Sequence, residues 1–186
     1  MDPSNGEESS QNGDEGPEGA VPVEIVGVRI ELPSNQPIVL LKELGGIRYL
    51  PIWIGASEAT AIASALQGVE PPRPLTHDLL TTVIQELGAE VQRIVVSDMR
   101  DSVYYADLFM THENQAMTIS SRPSDAIALA IRIEAPVFAS RAVFDEAGID
   151  FADQEDEEEI EEFRRALDEA TIEDFLGNES GENPES

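Results

Sequence analysis

The sequence predicts an α+β domain built on one mixed or antiparallel sheet. Its elements run three strands, two helices, three strands and a helix, followed by a short strand and a short helix, with acidic tails at either end. Three observations predict it. Strand-like apolar runs fall into two blocks of three. The spacing between and after those blocks changes to that of helices, and Gly or Pro marks most of the changes.

The first strand is marked by Val23, Ile25, Val28 and Ile30. Ile38 to Leu44, then Gly45-Gly46, then Ile47 to Ile54 reads as a hairpin. Pro51 has no N–H to donate, so the second arm is expected at an edge or at a bulge. After Gly55, the stretch Glu58 to Gln67 sets Ala59, Ile62, Ala63 and Leu66 at helical spacing, with Gly68 as its stop. Beyond Pro71-Pro72-Arg73-Pro74, Thr76 is expected to cap a helix that buries Leu79, Leu80, Val83, Ile84 and Leu87 and ends at Gly88. Strand character returns in Val91 to Val96, Val103 to Met110 and Met117 to Ile119, with turns near Arg100-Asp101 and Glu113-Asn114. Pro123 opens a helix whose Ala126 to Ile131 stretch is almost wholly apolar, which predicts burial on most sides. Val137 to Ala139 is a short strand, and Arg141 to Ala147 a short helix stopped by Gly148.

A chain of 186 residues suits one domain with a real core. The net charge of -27 is unevenly spread. Residues 1–20 carry six acids and no base, residues 21–144 carry 14 acids against nine bases, and residues 145–186 carry 18 acids against two bases. The expected division is therefore a disordered acidic leader over 1–21, a domain over 22–149 and an acidic extension over 150–186. Within that extension Ile160, Phe163 and Leu167 form a narrow apolar stripe, so part of it is expected to be a helix able to dock. The chain has no cysteine, which excludes disulfides, thiolate metal sites and a cysteine nucleophile. It shows neither a signal-peptide pattern nor an apolar run long enough to cross a bilayer, so a cytoplasmic protein with no membrane partner is expected.

Two clusters have the composition of an anion site. Arg73-Pro-Leu-Thr-His-Asp78 puts a guanidinium, the Thr76 hydroxyl, the His77 imidazole and the Asp78 carboxylate at a helix start, where free N–H groups and the helix dipole favour a phosphate. Ser121-Arg122-Pro123-Ser124-Asp125 repeats the design. If the two converge, Arg73 and Arg122 would bind phosphate oxygens while Asp78 and Asp125 hold a divalent metal or a water. The plainer reading is ordinary capping by Thr76 and Asp78, with an Arg–Asp pair fixing the second helix to the sheet. Glu58 and Asp107 are further candidate carboxylates for a metal, each with a structural alternative as a helix-start acid or a strand acid. Tyr104 and Tyr105 read as strand packing, and His112 has no evident partner. Motifs for nucleotide triphosphates, dinucleotides, zincins and hydrolase elbows are absent from the sequence.

Four ordered segments, Leu50-Pro-Ile-Trp-Ile-Gly55 with Glu58-Ala59, Arg73 to Leu80, Tyr105 to Leu108, and Arg122 to Ala130, resemble the successive signatures of the bifunctional nuclease domain family. The resemblance covers roughly Val23 to Gly148. The Phe163 to Leu176 segment is similar to the C-terminal extension of actinobacterial members, which implies a bacterial source. The resemblance also implies an α+β fold, cleavage of DNA and RNA, and self-association, with a dimer favoured. Carried onto this chain, it implies hydrolysis of phosphodiesters with Asp78 and Asp125 as ligands of Mg²⁺ or Mn²⁺, joined by Glu58 and Asp107. It further implies His77, Asp78, Ser124 and Asp125 as catalytic residues, and Arg73, Thr76 and Arg122 as phosphate ligands. The acidic balance opposes binding to a polyanion, unless the acidic extension covers an arginine patch and can be displaced. Two other classes fit the same residues: a non-enzymatic scaffold or regulator that binds a protein partner, and a module acting on small phosphate esters or nucleotides.

Overall fold

A computed structural model describes residues 17, 19–31 and 34–150. The expected leader up to residue 16 and the extension beyond Asp150, including the helix expected around Ile160 to Leu167, lie outside the described residues. The elements are β1 (Ala20–Glu31), β2 (Gln36–Glu43), β3 (Arg48–Trp53), α1 (Ala56–Leu66), α2 (Thr76–Glu86), β4 (Ala89–Arg100), β5 (Val103–His112), β6 (Gln115–Ser121), α3 (Pro123–Ile133), β7 (Val137–Ser140), α4 (Arg141–Ala147) and β8 (Ile149–Asp150). This is the predicted α+β order with one addition, the two-residue β8. β1 also starts at Ala20, inside the stretch expected to be leader.

Eight strands form one open sheet in the order β6-β5-β4-β7-β1-β2-β3-β8. Every pairing is antiparallel except that of β4 with β7, which α3 makes possible by carrying the chain back across the sheet from its β6 edge. β1 serves two neighbours in succession: Ala20 to Pro22 pair with β7, and Val23 to Glu31 pair with β2. Both outer hairpins turn through two residues with positive φ, Asp101 and Ser102 in one and Glu113 and Asn114 in the other. Such turns match the right-handed twist of the flanking strands.

The sheet curls strongly. β3 and β5 stand five places apart, roughly 24 Å in a flat sheet at ~4.8 Å per strand. Even so, the Tyr104 hydroxyl of β5 donates to the Pro51 carbonyl of β3 at 3.1 Å. Pro51 sits where β3 is an edge, because β8 pairs only with Arg48 and Tyr49. The missing proline N–H is thus accommodated, and its carbonyl ties the two halves of the sheet.

α3 occupies the concave interior. Pro123, Ser124 and Ala126 to Ala130 are buried, and the alanines let it lie close to α1, which contributes Ala59, Ile62 and Ala63 to the same core. Leu66, expected in that core, is instead exposed at the last turn of α1.

α2 departs furthest from expectation. Its N-cap is Leu75, and Thr76 is the first helical residue. The Leu75 N–H donates to the Asp78 carboxylate at 2.8 Å, so only the reciprocal half of a capping box is present. None of the residues of α2 is buried. Leu79, Leu80, Val83 and Leu87 face solvent, and Ile84 alone of the expected five packs against the core. The helix turns the other way round because His77 and Asp78 find hydrogen-bonding partners on α3.

Candidate active site

Three helix starts meet at the site. α3 begins at Pro123, whose missing N–H costs nothing at that position, and Arg122 is the residue before it in extended conformation. Asp125 lies in the first turn of α3, His77 in the first turn of α2 and Glu58 in the first turn of α1. Carboxylates at these places interact favourably with the helix dipoles.

Asp125 is the centre of the cluster. Arg122 donates from Nε to Oδ2 at 2.7 Å and from Nη2 to Oδ1 at 3.1 Å, a bidentate pair. The same guanidinium donates from Nη1 to Glu58 Oε1 at 2.7 Å, linking α3 to α1. On its other side Asp125 Oδ1 lies 3.2 Å from His77 Nε2. Burial pushes the Asp125 carboxyl up, but the hydrogen bonds from Arg122 and His77 outweigh it and hold the carboxyl below its usual range. Asp125 is therefore ionised at neutral pH and can only accept, so the His77 proton resides on Nε2 and Nδ1 is left as the basic nitrogen. Hydrogen bonds to Asp125, and secondarily to Glu58, raise the Arg122 guanidinium further above its ordinary range. With three of its five N–H groups engaged, Arg122 keeps two for another acceptor, and it is largely exposed.

Asp78 belongs to a second, separate pair. Arg132, in the last turn of α3, donates from Nε to Asp78 Oδ1 and from Nη1 to the carbonyls of Ala61 and Ala128. The hydrogen bond from Arg132 lowers the Asp78 carboxyl below its ordinary value, aided by the Leu75 N–H. This pair clamps α2 to α3 and brings His77 to Asp125.

The other expected residues are placed differently. Ser124 is buried and lines a cavity beside Arg122 and Glu58. Thr76 and Arg73 are exposed, Thr76 on the outer side of the first turn of α2 and Arg73 in the preceding loop, with no hydrogen-bonding partner for the guanidinium among the described residues. Asp107 does not join the cluster. Ala106, Leu108 and Met110 of β5 point into the core, so the alternation of the strand sends Asp107 to the opposite face of the sheet from α3.

The expected metal ligands therefore form no single set. Asp125 and Glu58 are held by Arg122, Asp78 is held by Arg132, and Asp107 is across the sheet. Among the described residues no group of three or more His, Asp or Glu side chains is arranged to hold a metal ion. This arrangement does not fit Mg²⁺ or Mn²⁺, which require several oxygen donors free to converge.

Sequence reasoning missed Arg132, although an arginine seven residues after Asp125 on an otherwise apolar helix was a usable signal. It also missed the cavity, which is walled by Trp53, Tyr104 and Arg122 from distant parts of the chain. No helix among the described residues is long and apolar enough to cross a membrane.

Comparison with known proteins gives these residues a context. Residues 39–152 match the family model of the bifunctional nuclease domain. The chain is 45% identical over 161 residues to an uncharacterized protein of Mycobacterium tuberculosis, covering 82% of this chain and 96% of that one. It is 28% identical to bifunctional nuclease 2 of Oryza sativa subsp. japonica, over 66% of this chain and 39% of the rice protein. To bifunctional nuclease 1 of Arabidopsis thaliana it is 29% identical, over 57% of this chain and 34% of the plant protein.

Proposed function

The chain belongs to the bifunctional nuclease domain family, and from that premise we propose that it is a nuclease hydrolysing phosphodiester bonds in DNA or RNA, with His77, Asp125 and Arg122 at its active site. The observation that carries the reading is one hydrogen-bonded chain of imidazole, carboxylate and guanidinium, formed where the first turns of α2 and α3 converge. In that chain His77 Nδ1 accepts a proton from water as the water oxygen attacks phosphorus. The P–O bond to the leaving oxygen breaks, and the proton returns to that oxygen. Asp125 orients the ring and stabilises the imidazolium, and the two remaining N–H groups of Arg122 meet the charge growing on the phosphate. The proposed hydrolysis uses the chain's own residues, with the carboxylates of Glu58, Asp125 and Asp78 held by arginines.

The test is cleavage of single-stranded DNA, duplex DNA and RNA by the purified chain with Mg²⁺, Mn²⁺ or chelator, beside His77→Ala and Asp125→Asn. We expect activity in the chelator arm and a loss of about 100-fold or more in folded His77→Ala, the scale of general acid–base catalysis. Activity that needs a metal would overturn the proposed chemistry, and equal activity in all three proteins would place hydrolysis elsewhere.

A second reading, a scaffold or regulator that binds a protein partner, is supported by one observation: α2 turns Leu75, Leu79, Val83 and Leu87 outward as a continuous stripe. Absence of cleavage in every arm, with a partner captured through α2, would favour it.

A further inference from the structure

A cavity of about 540 Å³ opens directly beside Arg122, Glu58 and Ser124. Its walls come from the two ends of the curled sheet: Trp53 and Gln36 on one side, Ser102, Val103 and Tyr104 on the other. Because the curl is what brings these walls together, the cavity is a product of the tertiary fold and not of any one motif.

Its chemistry is mixed in a specific way. Trp53 is 47% exposed, an uncommon state for so large an aromatic surface, and its indole is held in place by donating from Nε1 to Glu31 Oε2 at 2.9 Å. Ile52 and Val103 supply apolar wall, Gln36 and Ser102 supply amide and hydroxyl groups, and Arg122 both lines the cavity and holds Asp125, the hydrogen-bonding partner of His77. The volume lies in the range that takes one small organic ligand. An exposed, hydrogen-bonded indole offers a stacking face, the polar wall can meet the edge of a heterocycle, and the guanidinium has two N–H groups left for a phosphate.

We propose that this cavity is a subsite for a single unstacked nucleobase, which stacks on Trp53 and presents the adjoining phosphate to Arg122 and His77. The assignment rests on the nuclease reading of the neighbouring cluster and names its substrate class: the terminus or an unpaired stretch of a single strand. A base inside a duplex is stacked and paired, and cannot enter. Single strands are therefore cleaved faster than duplexes of the same sequence. Base–aromatic stacking also supplies affinity that Arg122, neutralised by two carboxylates, does not supply alone.

Trp53 is the one tryptophan of the chain, so its fluorescence reports on the cavity directly. The full chain is titrated with AMP, CMP, ribose 5-phosphate and inorganic phosphate. Both nucleotides should quench saturably, and ribose 5-phosphate and phosphate should not. By calorimetry, Trp53→Ala should bind AMP about tenfold more weakly or worse, and Trp53→Phe should recover much of the loss. Val103→Phe narrows the cavity from the β5 side with Trp53 intact, and should abolish the quench, which guards against a folding defect in Trp53→Ala. Equal binding of AMP and ribose 5-phosphate, unchanged AMP affinity in Trp53→Ala, or no quench by either nucleotide overturns the proposal. The outcomes separate the two readings. Cleavage that depends on His77 without nucleotide quenching removes the subsite alone, whereas Trp53-dependent nucleotide binding without cleavage keeps the subsite and removes the hydrolase.

Discussion

Arg132 illustrates how single residues set this site without touching a substrate. Its guanidinium, mostly shielded from solvent, joins Asp78 to two backbone carbonyls, so removing it takes the arginine partner from Asp78 and a second donor from two helical carbonyls. Arg132→Met should cost roughly 2–4 kcal/mol in denaturant unfolding, the range for breaking a part-buried charged network. It should also lower any activity through displacement of His77. The pH dependence follows from the depressed carboxyls of Asp78 and Asp125. A carboxyl depressed in the folded state stabilises fully above its unfolded value of about 4, and that contribution is lost as pH falls through the depressed folded value. The stability difference between wild type and Asp78→Asn should therefore be full near neutral pH and shrink as the solution is acidified below about pH 4. A difference that stays constant across that range would show that the Arg132 pair contributes nothing through ionisation.

At the scale of the element, α2 shows pattern and placement pulling apart. Its apolar positions have helical spacing and the helix forms, yet Leu79 is 55% and Leu87 67% exposed. The side that packs carries His77, Asp78 and Thr81, because α3 offers Asp125 and Arg132 there. An outward stripe of this kind is costly in water and suits a second copy of the chain, which brings an identical stripe to meet it. Sedimentation should show a dimer for the wild type and a monomer for Leu79→Glu with Val83→Glu, with unchanged far-UV dichroism. A monomeric wild type would leave the stripe to another partner. β6 is exposed along nearly its whole length, and Met117 and Ile119 lie on the core face beside Met110 and Leu108 with no helix of the described residues over them.

For the whole molecule the governing quantity is charge. Residues 151–186 contribute 15 acids against two arginines, a net charge that repels a polyanion and that salt screens. Ending the chain after Asp150, which keeps the β8 pairing with Arg48, should tighten binding of a labelled single-stranded oligonucleotide, most at low salt. Equal anisotropy titrations for the two chains would show that the acidic extension is no competitor for the site.

The strand and helix order was legible because apolar period and turn residues are local properties: a turn expected around Arg100-Asp101 and found one residue on at Asp101-Ser102, the turn at Glu113-Asn114, Pro51 expected at an edge or a bulge and found at an edge, and the buried alanine-rich α3 all follow from neighbours in the chain. Arg122, Asp125, His77 and Glu58 were also legible as candidates, since helix starts advertise themselves by composition. That the two clusters could converge was raised from the repeated design; which partners each residue takes was not legible, nor was the exclusion of Asp107. Which face a strand residue takes and which helix it meets depend on the sheet curling until β5 reaches β3, with α3 packed inside the curve. The sequence by itself determined the elements and the residues able to do chemistry, because both depend on local preference. Only the tertiary structure decided that α2 turns its polar edge inward, that Arg132 holds it there, and that Trp53 and Tyr104 wall one cavity. Those outcomes depend on partners distant in sequence, and pairing the part-buried charges of α3 outweighed burying the leucines of α2.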